Sequence, residues 1–600
     1  MPVSIAAPFL ALPVTLLVIR ALLQSPRVAA LLSAAPSADR WHSATTPTFG
    51  GVGIFAGLAA AVGAALLFGG ISSTGEVAAI LAGCTILFAA GVWDDIRALN
   101  PLAKLAIQVA AAALVLSSGI SVEVVDNDML GWALGLLWLV GMTNAFNLLD
   151  NMDGLAASMG LVASSFFAIA AATVNPNRDI FVVSAALALA CAAFLPFNLR
   201  PGRPAAVFMG DSGSQVIGLA LGSLGLAATY KVAGTTLATL VLPLLVLAIP
   251  ILDTGLVTVL RLLEGRPVSQ GGRDHTSHRL VYRGLSEKRA VLLLTAIAAG
   301  LGATSLAYTV LDNGRITAVG VLLSFALLLQ FASFLSDAQH ADAEPGALRV
   351  HWRRLVEVVV DGALVTAAFY AAYIVVVEGN GTVNQRHLFI VTLPILLAVR
   401  FVTFVQFGLY RSVWRYAGAR DAALVLAAVV VSEGLAFVVV DATRPLGDFP
   451  TSVFVLDALL CALLVGGARF GERAFVGLVS GLAGRTDQRR VLIVGAGRSG
   501  RSLLRELRET PSERVVGFLD DDPRLRGRRI HGVRIVGLSS AASDAIARTR
   551  ADAVVVTIPS APAELLAALV EACEGAGVPV QFVHREISAT LPALVEAQSR

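Results

Sequence analysis

Long apolar segments alternate with short polar segments along most of this 600-residue chain. A segment of about 20 apolar residues is long enough to cross the hydrocarbon core of a bilayer as a helix. By this criterion we predict about eleven spans in the first part of the chain and about four in the second. The predicted spans lie near residues 5–23, 50–70, 77–93, 103–121, 131–148, 155–175, 179–198, 212–231, 236–260, 290–309 and 316–336, and then near 356–377, 387–408, 421–441 and 452–475.

The pattern changes after the last predicted span, where the chain returns to the patterning of a soluble domain. Between the two membrane regions, a polar stretch with Pro345-Gly346 is typical of a linker. We therefore predict a polytopic all-α membrane protein with a C-terminal Rossmann-like α/β domain. The predicted boundaries are residues 1–336 for the first membrane domain, 337–355 for the linker, 356–475 for a four-helix transmembrane module and 476–600 for the α/β domain.

Composition narrows the class of protein. Hydrophobic residues make up 56% of the chain and charged residues 14%, with a mean hydropathy of +0.77, which excludes an ordinary soluble protein. The net charge of +3 is spread over loops and does not suggest nucleic-acid binding. The start of the chain, Met1 to Ile5, has no Lys or Arg, so we expect an uncleaved first span and not a signal peptide. The cysteines suggest neither disulfides nor a zinc site, since they are far apart: Cys84, Cys191, Cys461 and Cys573.

Basic residues are concentrated in alternate loops. By the positive-inside rule these loops are cytoplasmic, which predicts a multi-pass plasma-membrane protein with its N-terminus outside and its C-terminal domain in the cytoplasm. One intervening loop is acidic, with Glu123, Asp126 and Asp128. The basic loops contain Arg27 and Arg40, Arg97 and Lys104, Arg200 and Arg203, and the segments 261–289, 349–354 and 411–420.

Acidic and amide residues lie at the ends of apolar segments, all on the predicted cytoplasmic face. A charge so close to hydrocarbon is costly, so each is a candidate functional residue. Adjacent Asp94 and Asp95 repel each other unless a cation or proton intervenes, which suits one of them to act as a base. Asp211 lies in the turn Phe208-Met-Gly-Asp-Ser-Gly-Ser214 just before a span, where we expect backbone N–H groups to bind a phosphate.

Amide and basic side chains complete the pattern. Asn144, Asn147 and Asn151 recur at helical spacing, so they can share one face of a span end. Carboxylate and carboxamide oxygens suit Mg²⁺, which takes few protein ligands and adds substrate phosphate. Each motif alone is more often a helix end, a solvated loop or a helix–helix contact, but together on one face they favour function. The groups that can neutralise phosphate are Lys104, Arg261, Arg273 and Arg279, with His275 and His278 when protonated.

Four motifs occur in the order and at the spacing found in the polyprenyl-phosphate N-acetylhexosamine-1-phosphate transferases of glycosyltransferase family 4. The first ~336 residues resemble this family. The resemblance implies Mg²⁺-dependent transfer of a sugar 1-phosphate from a UDP-sugar to a polyprenyl phosphate lipid, with release of UMP, as the initiating step of cell-wall or surface polysaccharide synthesis. The motifs are Thr46-Pro-Thr-Phe-Gly-Gly51, Asp94-Asp-x-x-x-Leu-x-Pro-x-x-Lys104, Asn144-Ala-x-Asn-x-x-Asp-x-x-Asp-Gly-Leu155 and Phe208-Met-Gly-Asp-x-Gly-Ser214.

The resemblance also implies roles for single residues. Asn147 and Asp211 are implied as ligands of Mg²⁺, with Mn²⁺ as an alternative metal. Ser277 stands where the family often has a further histidine, so the sugar is not fixed by this loop, and a UDP-N-acetylhexosamine such as UDP-GlcNAc is favoured. The implied catalytic residues are Asp94, Asp95, Lys104 and Asp211, of which Asp94 or Asp95 is the base or orienting group and Lys104 contacts the lipid phosphate. The implied substrate-binding residues are Asn144, Asp150, Asp153, Phe208 (stacked on uracil), His275, His278 and Arg279.

The C-terminal segment carries a dinucleotide-binding pattern. The run from Arg490 is a strand, then Gly495-Ala-Gly497-Arg-Ser-Gly500, then a helix pattern, with Asp520 about 20 residues further on. Glycines allow a tight turn and close phosphate approach, and the acid suits a ribose hydroxyl. This predicts binding of NAD or a nucleotide-sugar, with a Rossmann-like domain that binds nothing as the alternative.

The second half resembles the N-terminal part of membrane-bound nucleotide-sugar dehydratases and epimerases, through the segments 407–416 and 517–523. No tyrosine follows Tyr416, so the Tyr-x-x-x-Lys pair for hydride chemistry is missing. We expect ligand binding without chemistry there. Two alternatives to the transferase stay open, a dehydratase- or epimerase-related enzyme and a non-catalytic assembly protein. A homodimer or a polysaccharide-assembly machinery are possible partners, besides the membrane.

Overall fold

The protein is described from a computed structural model, whose contacts divide the chain into two units, residues 1–479 and 480–600. The structure describes residues 3–25, 33–34, 46–122, 127–200, 202–230, 242–268, 272–311, 313–336, 347–377, 383–411, 418–443, 450–482, 489–509, 513–525, 527–558 and 562–583.

The first unit is built from helices, as the long apolar segments predict. The first of them contains a short 3₁₀ turn at Pro8. In the first membrane domain the helices are α1 (Val3–Leu23), α2 (Gly50–Leu67), α3 (Thr74–Ile96), α4 (Pro101–Ser117), α5 (Asp128–Leu149), α6 (Leu155–Thr173), α7 (Arg178–Asn198), α8 (Asp211–Tyr230), α9 (Ala248–Leu263), α10 (Thr276–Tyr282), α11 (Glu287–Leu311) and α12 (Gly314–Ser336). In the second region they are α13 (Ala347–Val376), α14 (Val383–Gln406), α15 (Ala419–Thr443) and α16 (Ser452–Leu482).

The helices confirm a polytopic membrane protein. Among the described residues, 12 helices are long and apolar enough to cross a bilayer. A helix begins at Ala347, so it starts inside the stretch predicted as a linker. The predicted span near 236–260 coincides with α9 only in its second part, because residues 231–241 lie outside the described part of the chain.

Helix α8 forms the centre of the first domain. Its residues from Ser212 to Ala227 are all buried, and it packs against α3 and α5. Glycines allow this close approach: a Cβ at Gly218 would lie 2.6 Å from the carbonyl oxygen of Met142, and one at Gly91 would lie 2.5 Å from Ser212 Cα. The N-terminal end of α8 is therefore held in a fixed position against two other helices.

Helices α13 to α16 enclose a second apolar core, with Phe369, Phe404 and Phe454 among its buried residues. This region also contains buried charges. Arg400 and Arg469 are 1% and 4% exposed, and each pairs with carboxylates of neighbouring helices. The module is thus an apolar bundle that encloses two ionic networks.

The second unit contains a six-stranded mixed sheet with the order β5-β6-β4-β3-β7-β8. The central strand is the predicted one, which precedes the glycine-rich loop, and it pairs in parallel on both sides. Only β5 is antiparallel to its neighbour. The strands are β3 (Arg489–Val494), β4 (Glu513–Leu519), β5 (Arg529–Ile530), β6 (Val533–Gly537), β7 (Ala553–Val556) and β8 (Val580–Phe582), joined by helices α17 (Arg498–Glu509), α18 (Ala542–Thr549) and α19 (Ala563–Gly575); β1 (Ser33–Ala34) and β2 (Thr46–Pro47) form a separate pair in the first unit.

Candidate active site

Two of the sequence motifs meet through their backbones. The amide of Phe208 donates to the carbonyl of Pro47 (2.7 Å), and the amide of Gly50 donates back to Phe208 (2.9 Å). The amide of Gly51 donates to Met209 (2.8 Å). A Cβ at Gly51 would lie 2.2 Å from the amide nitrogen of Gly213, so only glycine fits at this crossing. The crossing fixes where α8 begins.

A lysine lies at the centre of the candidate site. The Lys104 ammonium donates to Asp94 Oδ2 (3.1 Å) and to Asn147 Oδ1 (3.3 Å). It also donates to the carboxylate of Asp211. These residues come from the C-terminal ends of α3 and α5 and the N-terminal ends of α4 and α8. Four helix ends therefore bring two carboxylates, an amide and a cation to one point.

The amide of Asn147 is fixed by its other contacts. Its Nδ2 donates to Asp211 Oδ1 (2.9 Å) and to Ser214 Oγ (3.1 Å). The oxygen of the amide then faces Lys104. Ser214, one turn after Asp211, was not singled out by itself in the sequence, because only the fold shows that it orients Asn147.

Below the cluster, three amide side chains form a ladder between α4, α5 and α8. Gln108 and Asn144 exchange two hydrogen bonds, of 3.2 and 2.8 Å, and Gln108 also donates to Gln215 (3.2 Å). Asn144 Nδ2 donates as well to the carbonyl of Val140 (2.9 Å). The structure thus gives Asn144 a helix-joining role and does not bring it to the cluster as a substrate contact.

The two adjacent aspartates have different surroundings. Asp94 accepts from Lys104 and from the backbone of Leu99 (2.5 Å). Asp95 instead accepts from the backbone amides of Asp211 (2.9 Å) and Ser212 (3.2 Å). Asp94 therefore faces the cluster, whereas Asp95 caps the N-terminus of α8.

The prediction that a phosphate binds to the backbone at the N-terminus of α8 is wrong. Asp95 takes the first two N–H groups, and Gly210 O accepts from the next two, those of Gly213 (3.1 Å) and Ser214 (3.2 Å). No backbone donor of this first turn is left for a phosphate. Gly210 has a φ of +75°, and a Cβ there would lie 2.6 Å from Asp95 Oδ2. The glycines therefore serve the packing of the turn around Asp95.

The donor set of the cluster fits a hard divalent cation. Oxygens of Asp94, Asn147 and Asp211 already converge on one positive charge, that of Lys104. Carboxylate and amide oxygens are the ligands that Mg²⁺ takes, together with water and substrate phosphate. No group of three or more His, Cys, Asp or Glu side chains placed for a metal occurs among the described residues. A metal here would thus depend on the substrate for part of its coordination.

The turn between α5 and α6 lies next to this cluster in the chain. Asp150 and Asp153 are half-buried there. Gly154 has a φ of +79° and donates to the side chain of Asn198, which in turn donates to the carbonyl of Val207 (2.9 Å). Asn198 therefore joins this turn to the segment that precedes Phe208.

Phe208 is only 8% exposed. A ring that is almost fully covered cannot stack on a base unless its surroundings move. The predicted stacking on uracil therefore requires a rearrangement that the structure does not contain.

The histidine loop is held by two buried ion pairs. His275 Nδ1 lies 2.8 Å from Asp253 Oδ2, and the amide of Thr276 donates to the other oxygen of Asp253 (2.6 Å). Arg261 binds Asp274 with two hydrogen bonds, of 2.9 and 2.7 Å. Ser277 Oγ donates to Asn151 Oδ1 (2.8 Å) and so joins the loop to the α5–α6 turn. The loop therefore has a fixed position beside the acidic turn.

The two histidines differ in charge. Burial by itself would lower the pKa of His275, but the negative charge of Asp253 outweighs it and raises that pKa. Burial and the charge of His275 lower the pKa of His278 to about 4. His278 is therefore neutral at neutral pH in this structure, and its neutralisation of a phosphate stays a prediction. Asp274 stays ionised, because Arg261 outweighs the effect of burial and lowers its pKa to about 2.

Arg279 is completely buried. Its guanidinium donates to the carbonyls of Asp274 (2.6 Å), Leu335 (3.3 Å) and Ser336 (3.3 Å). It thus fastens the histidine loop to the C-terminal end of α12. The structure gives it this structural role instead of the substrate contact implied for it.

A largely apolar groove opens between α5, α8 and α9, with a volume of about 460 Å³. One of its polar atoms, Thr254 Oγ1, is buried and has no hydrogen-bond partner among the described residues. Thr254 follows Asp253, and Ala145 lies two residues before Asn147, so the groove is close in the chain to the polar site. Its walls include Leu137, Trp138, Met142, Ala145, Leu226 and Ile251.

The glycine-rich loop of the second unit has the expected geometry. Gly495 has a φ of +99°, and a Cβ at Gly500 would lie 1.9 Å from Gly495 O, so both positions require glycine. No atom lies within 4 Å of the position that a Cβ of Gly497 would take, which leaves open space there. Asp520 accepts from the amides of Ala496 (2.6 Å) and Asp522 (2.8 Å). It therefore supports the loop, a role that the ribose pattern did not predict.

The fold and the cluster define the protein as a polytopic membrane protein with a carboxylate, amide and lysine site at the ends of four helices. Residues 77–229 match the model of glycosyl transferase family 4, and residues 406–583 match that of a CoA-binding domain. The chain belongs to glycosyl transferase family 4.

Named relatives agree with this assignment. A probable undecaprenyl-phosphate N-acetylglucosaminyl 1-phosphate transferase of Bacillus subtilis is 33% identical over 273 residues, which are 44% of this chain and 73% of that protein. A decaprenyl-phosphate N-acetylglucosaminephosphotransferase of Mycolicibacterium smegmatis is 33% identical over 340 residues, 51% of this chain and 82% of that protein. A phospho-N-acetylmuramoyl-pentapeptide-transferase of Moorella thermoacetica is 36% identical over 174 residues, 28% and 50% of the two chains.

Proposed function

We infer that this protein transfers N-acetylglucosamine 1-phosphate from UDP-GlcNAc to a polyprenyl phosphate and releases UMP. The convergence of Asp94, Asn147 and Asp211 on Lys104 is the observation that carries the proposal. The relatives named as undecaprenyl- and decaprenyl-phosphate GlcNAc-1-phosphate transferases support the choice of sugar and lipid. The product would begin a lipid-linked cell-wall or surface polysaccharide.

The reaction is a displacement at phosphorus. An oxygen of the lipid phosphate forms a bond to the β-phosphorus of the UDP-sugar, and the bond from that phosphorus to the bridging oxygen breaks. UMP leaves with the bridging oxygen. The protein's part is to hold the two phosphate groups in line and to offset their negative charge.

The cluster residues divide this work. Asp211 and Asn147 would hold Mg²⁺, which would neutralise the diphosphate and the leaving group. Lys104 can exchange a carboxylate oxygen for an oxygen of the lipid phosphate, because both are anionic acceptors within reach of one ammonium. Asp94 faces the same point and can accept a proton from the lipid phosphate or orient it. Asp95 keeps Asp211 in place by binding its amide.

The remaining site features fit the two substrates. Protonated His275 pairs with Asp253 in the loop that Ser277 joins to the turn at Asn151, and there it can help to offset the charge of a diphosphate. The apolar groove with Thr254 suits the first isoprene units of a polyprenyl chain, since it is nearly without polar lining. The basic residues of alternate loops favour the cytoplasmic side for the site, where nucleotide sugars are made available to it.

The C-terminal unit is proposed to bind a nucleotide, either NAD or a nucleotide-sugar. The open space above Gly497, at the start of α17, supports access of a phosphate to that loop. The match to a CoA-binding domain agrees with a nucleotide-containing ligand but does not choose between ligands.

The transfer is tested with the purified full-length protein in lipid nanodiscs. Radiolabelled UDP-GlcNAc and polyprenyl phosphate are added with and without Mg²⁺, and lipid-linked label and UMP are measured. If the proposal holds, the two products form in equal amounts. Asp211→Asn is expected to lower turnover by at least about 100-fold, because it removes charge from the metal ligand. Asp128→Asn is the matched control, since Asp128 is exposed at the opposite end of α5 from Asn147.

Two outcomes contradict the proposal. Wild-type protein that forms UMP without lipid product would be a hydrolase. If the Asp211→Asn protein folds and its turnover is near that of Asp128→Asn, Asp211 is not a ligand of the metal.

A further inference from the structure

A group of ionisable side chains lies inside the four-helix module, far along the chain from the transferase cluster. Arg400 of α14 donates to the carboxylate of Glu433 on α15, and its Nη1 lies 3.0 Å from Asp457 Oδ2 on α16. Its Nε donates to Ser432 Oγ (3.3 Å). The exposed fractions of the Arg400, Glu433 and Asp457 side chains are 1%, 9% and 0%. Glu433 lies near the middle of the span Ala419–Ala442, so the group is at membrane depth.

The charges of this group do not balance. A guanidinium is always protonated in proteins, so Arg400 contributes one positive charge. Glu433 and Asp457 would contribute two negative charges if both were ionised. A net negative charge buried at membrane depth is strongly unfavourable, because packed apolar side chains solvate a charge poorly. One added proton makes the group neutral.

The hydrogen bonds point to the same missing proton. Asp457 Oδ2 faces the guanidinium of Arg400 at 3.0 Å, but Asp457 Oδ1 and Glu433 Oε1 have no hydrogen-bond donor among the described residues. The two carboxyl groups lie within hydrogen-bonding reach of each other. Two ionised carboxylates have only acceptors and repel, whereas a carboxylic acid can donate to a carboxylate. A proton between them would satisfy the buried oxygens.

We propose that Glu433 and Asp457 form an intramembrane proton-binding site, in which the two carboxyl groups share one proton beside Arg400. A metal ion fits this place poorly. Ca²⁺ and Mg²⁺ take about six oxygen ligands. Besides the two carboxylates, Ser432 Oγ is the only side-chain oxygen among the described residues with a hydrogen bond to Arg400. Other titratable side chains nearby are Cys461, a buried residue of α16, and Asp361 of α13, which lies close to Cys461.

A second network in the same module provides a comparison. Arg469 pairs with Asp361 and lies 3.6 Å from Glu357. It also has one guanidinium and two carboxylates, but the phenol of Tyr410 lies beside Asp361 and Arg469. Glu357 is 14% exposed and lies close to the start of the span Arg354–Val376, so water can offset its charge. The second network therefore differs from the first in having an exposed carboxylate and a phenol.

The proposal is tested by infrared spectroscopy of the full-length protein in nanodiscs. A protonated carboxyl group gives a C=O band distinct from that of a carboxylate, and the band shifts in D₂O. At neutral pH we expect such a band in the wild type, its loss in Glu433→Gln and Asp457→Asn, and its retention in Glu357→Gln. The band should decrease as pH is raised.

The amide variants keep the shape of a protonated acid, so both should fold with an unchanged thermal midpoint. A wild-type spectrum without this band, or a band that persists in both folded variants, would overturn the proposal. Failure of both variants to fold would also count against it, since it would mean that both groups are needed as anions. Loss of the wild-type band on addition of Na⁺ or Mg²⁺ would mean that the site binds a metal cation instead.

Discussion

Asp95 binds the start of α8 through the amide of Asp211, over a distance of 2.9 Å, although 116 residues separate the two in the chain. Asp211 points its own side chain at Lys104. One aspartate therefore positions the backbone of the other. Adjacent Asp94 has no part in this cap and faces the cluster, which separates two residues that the sequence cannot tell apart.

Substitutions of Asp95 and Asp94 should have different effects, the first on stability and the second on turnover. Asp95→Ala removes a helix cap, so we expect the free energy of unfolding to fall by about 1 kcal/mol and the thermal midpoint in detergent to decrease. Asp94→Asn should leave the midpoint unchanged and lower turnover by about 100-fold or more. Thermal unfolding and lipid-product assays on the two purified variants check this. Equal midpoints for both variants would mean that Asp95 is not a structural cap.

Activity should depend on the protonation of His275. Its folded pKa is raised by Asp253, so its ion pair contributes fully below the ordinary value and is lost as pH rises through the raised value. We expect kcat/KM to fall over that upper range. His275→Gln should abolish this fall of kcat/KM at higher pH. His278→Gln should keep it, because His278 is already neutral. If kcat/KM of His275→Gln still falls over the same pH range, the fall is due to another titratable group.

The basic loops predict the sidedness, which can be measured by cysteine labelling. The native cysteines are all buried, so they should give little background. Cysteines placed at Asp128 and Asn313 should react with an impermeant maleimide on intact cells, and those at Arg273 and Ser499 only after lysis. Labelling in the opposite sense would place the site on the outer face.

Nucleotide binding by the C-terminal unit should depend on Gly497. The unit from residue 480 onward is compact, so it can be prepared alone. We expect calorimetry to detect NAD(H) or a UDP-sugar, and Gly497→Val to weaken binding at least about 10-fold by filling the phosphate approach. Gly575→Val is the matched control, because a Cβ there also meets no atom within 4 Å. If neither ligand class gives a heat of binding, the unit is a structural or interaction module.

The motifs predicted a group of polar residues that includes those of the transferase cluster, but not which of them meet. Asp94, Lys104, Asn147 and Asp211 lie at ends of apolar segments on one membrane face, and the fold brings them together. Most span positions followed from apolar length, since backbone groups in a bilayer must be satisfied within a helix, but the segments predicted near 103–121, 212–231 and 236–260 are not among the 12 spans of the described residues.

The sequence could not predict which polar residues are buried. A His-x-x-His pattern reads the same whether its residues face solvent or the interior, so the neutral state of His278 and the covered guanidinium of Arg279 were missed. The pairing of Asp253 with His275 and the cap by Asp95 are long-range contacts without a local signal. Propensity and spacing describe neighbours in the chain, and these roles depend on neighbours in space.

The crossing of Gly51 and Gly213 has a consequence for biosynthesis. A ribosome delivers α2 to α5 to the membrane well before α8, so Asp94, Lys104 and Asn147 are inserted while Asp211 does not yet exist. During that interval Asp95 has no helix to cap, and the segment from Thr46 to Gly51 has no backbone partner at Phe208 and Met209. The cluster of Asp94, Lys104 and Asn147 is thus incomplete until α8 docks and brings Asp211 to it.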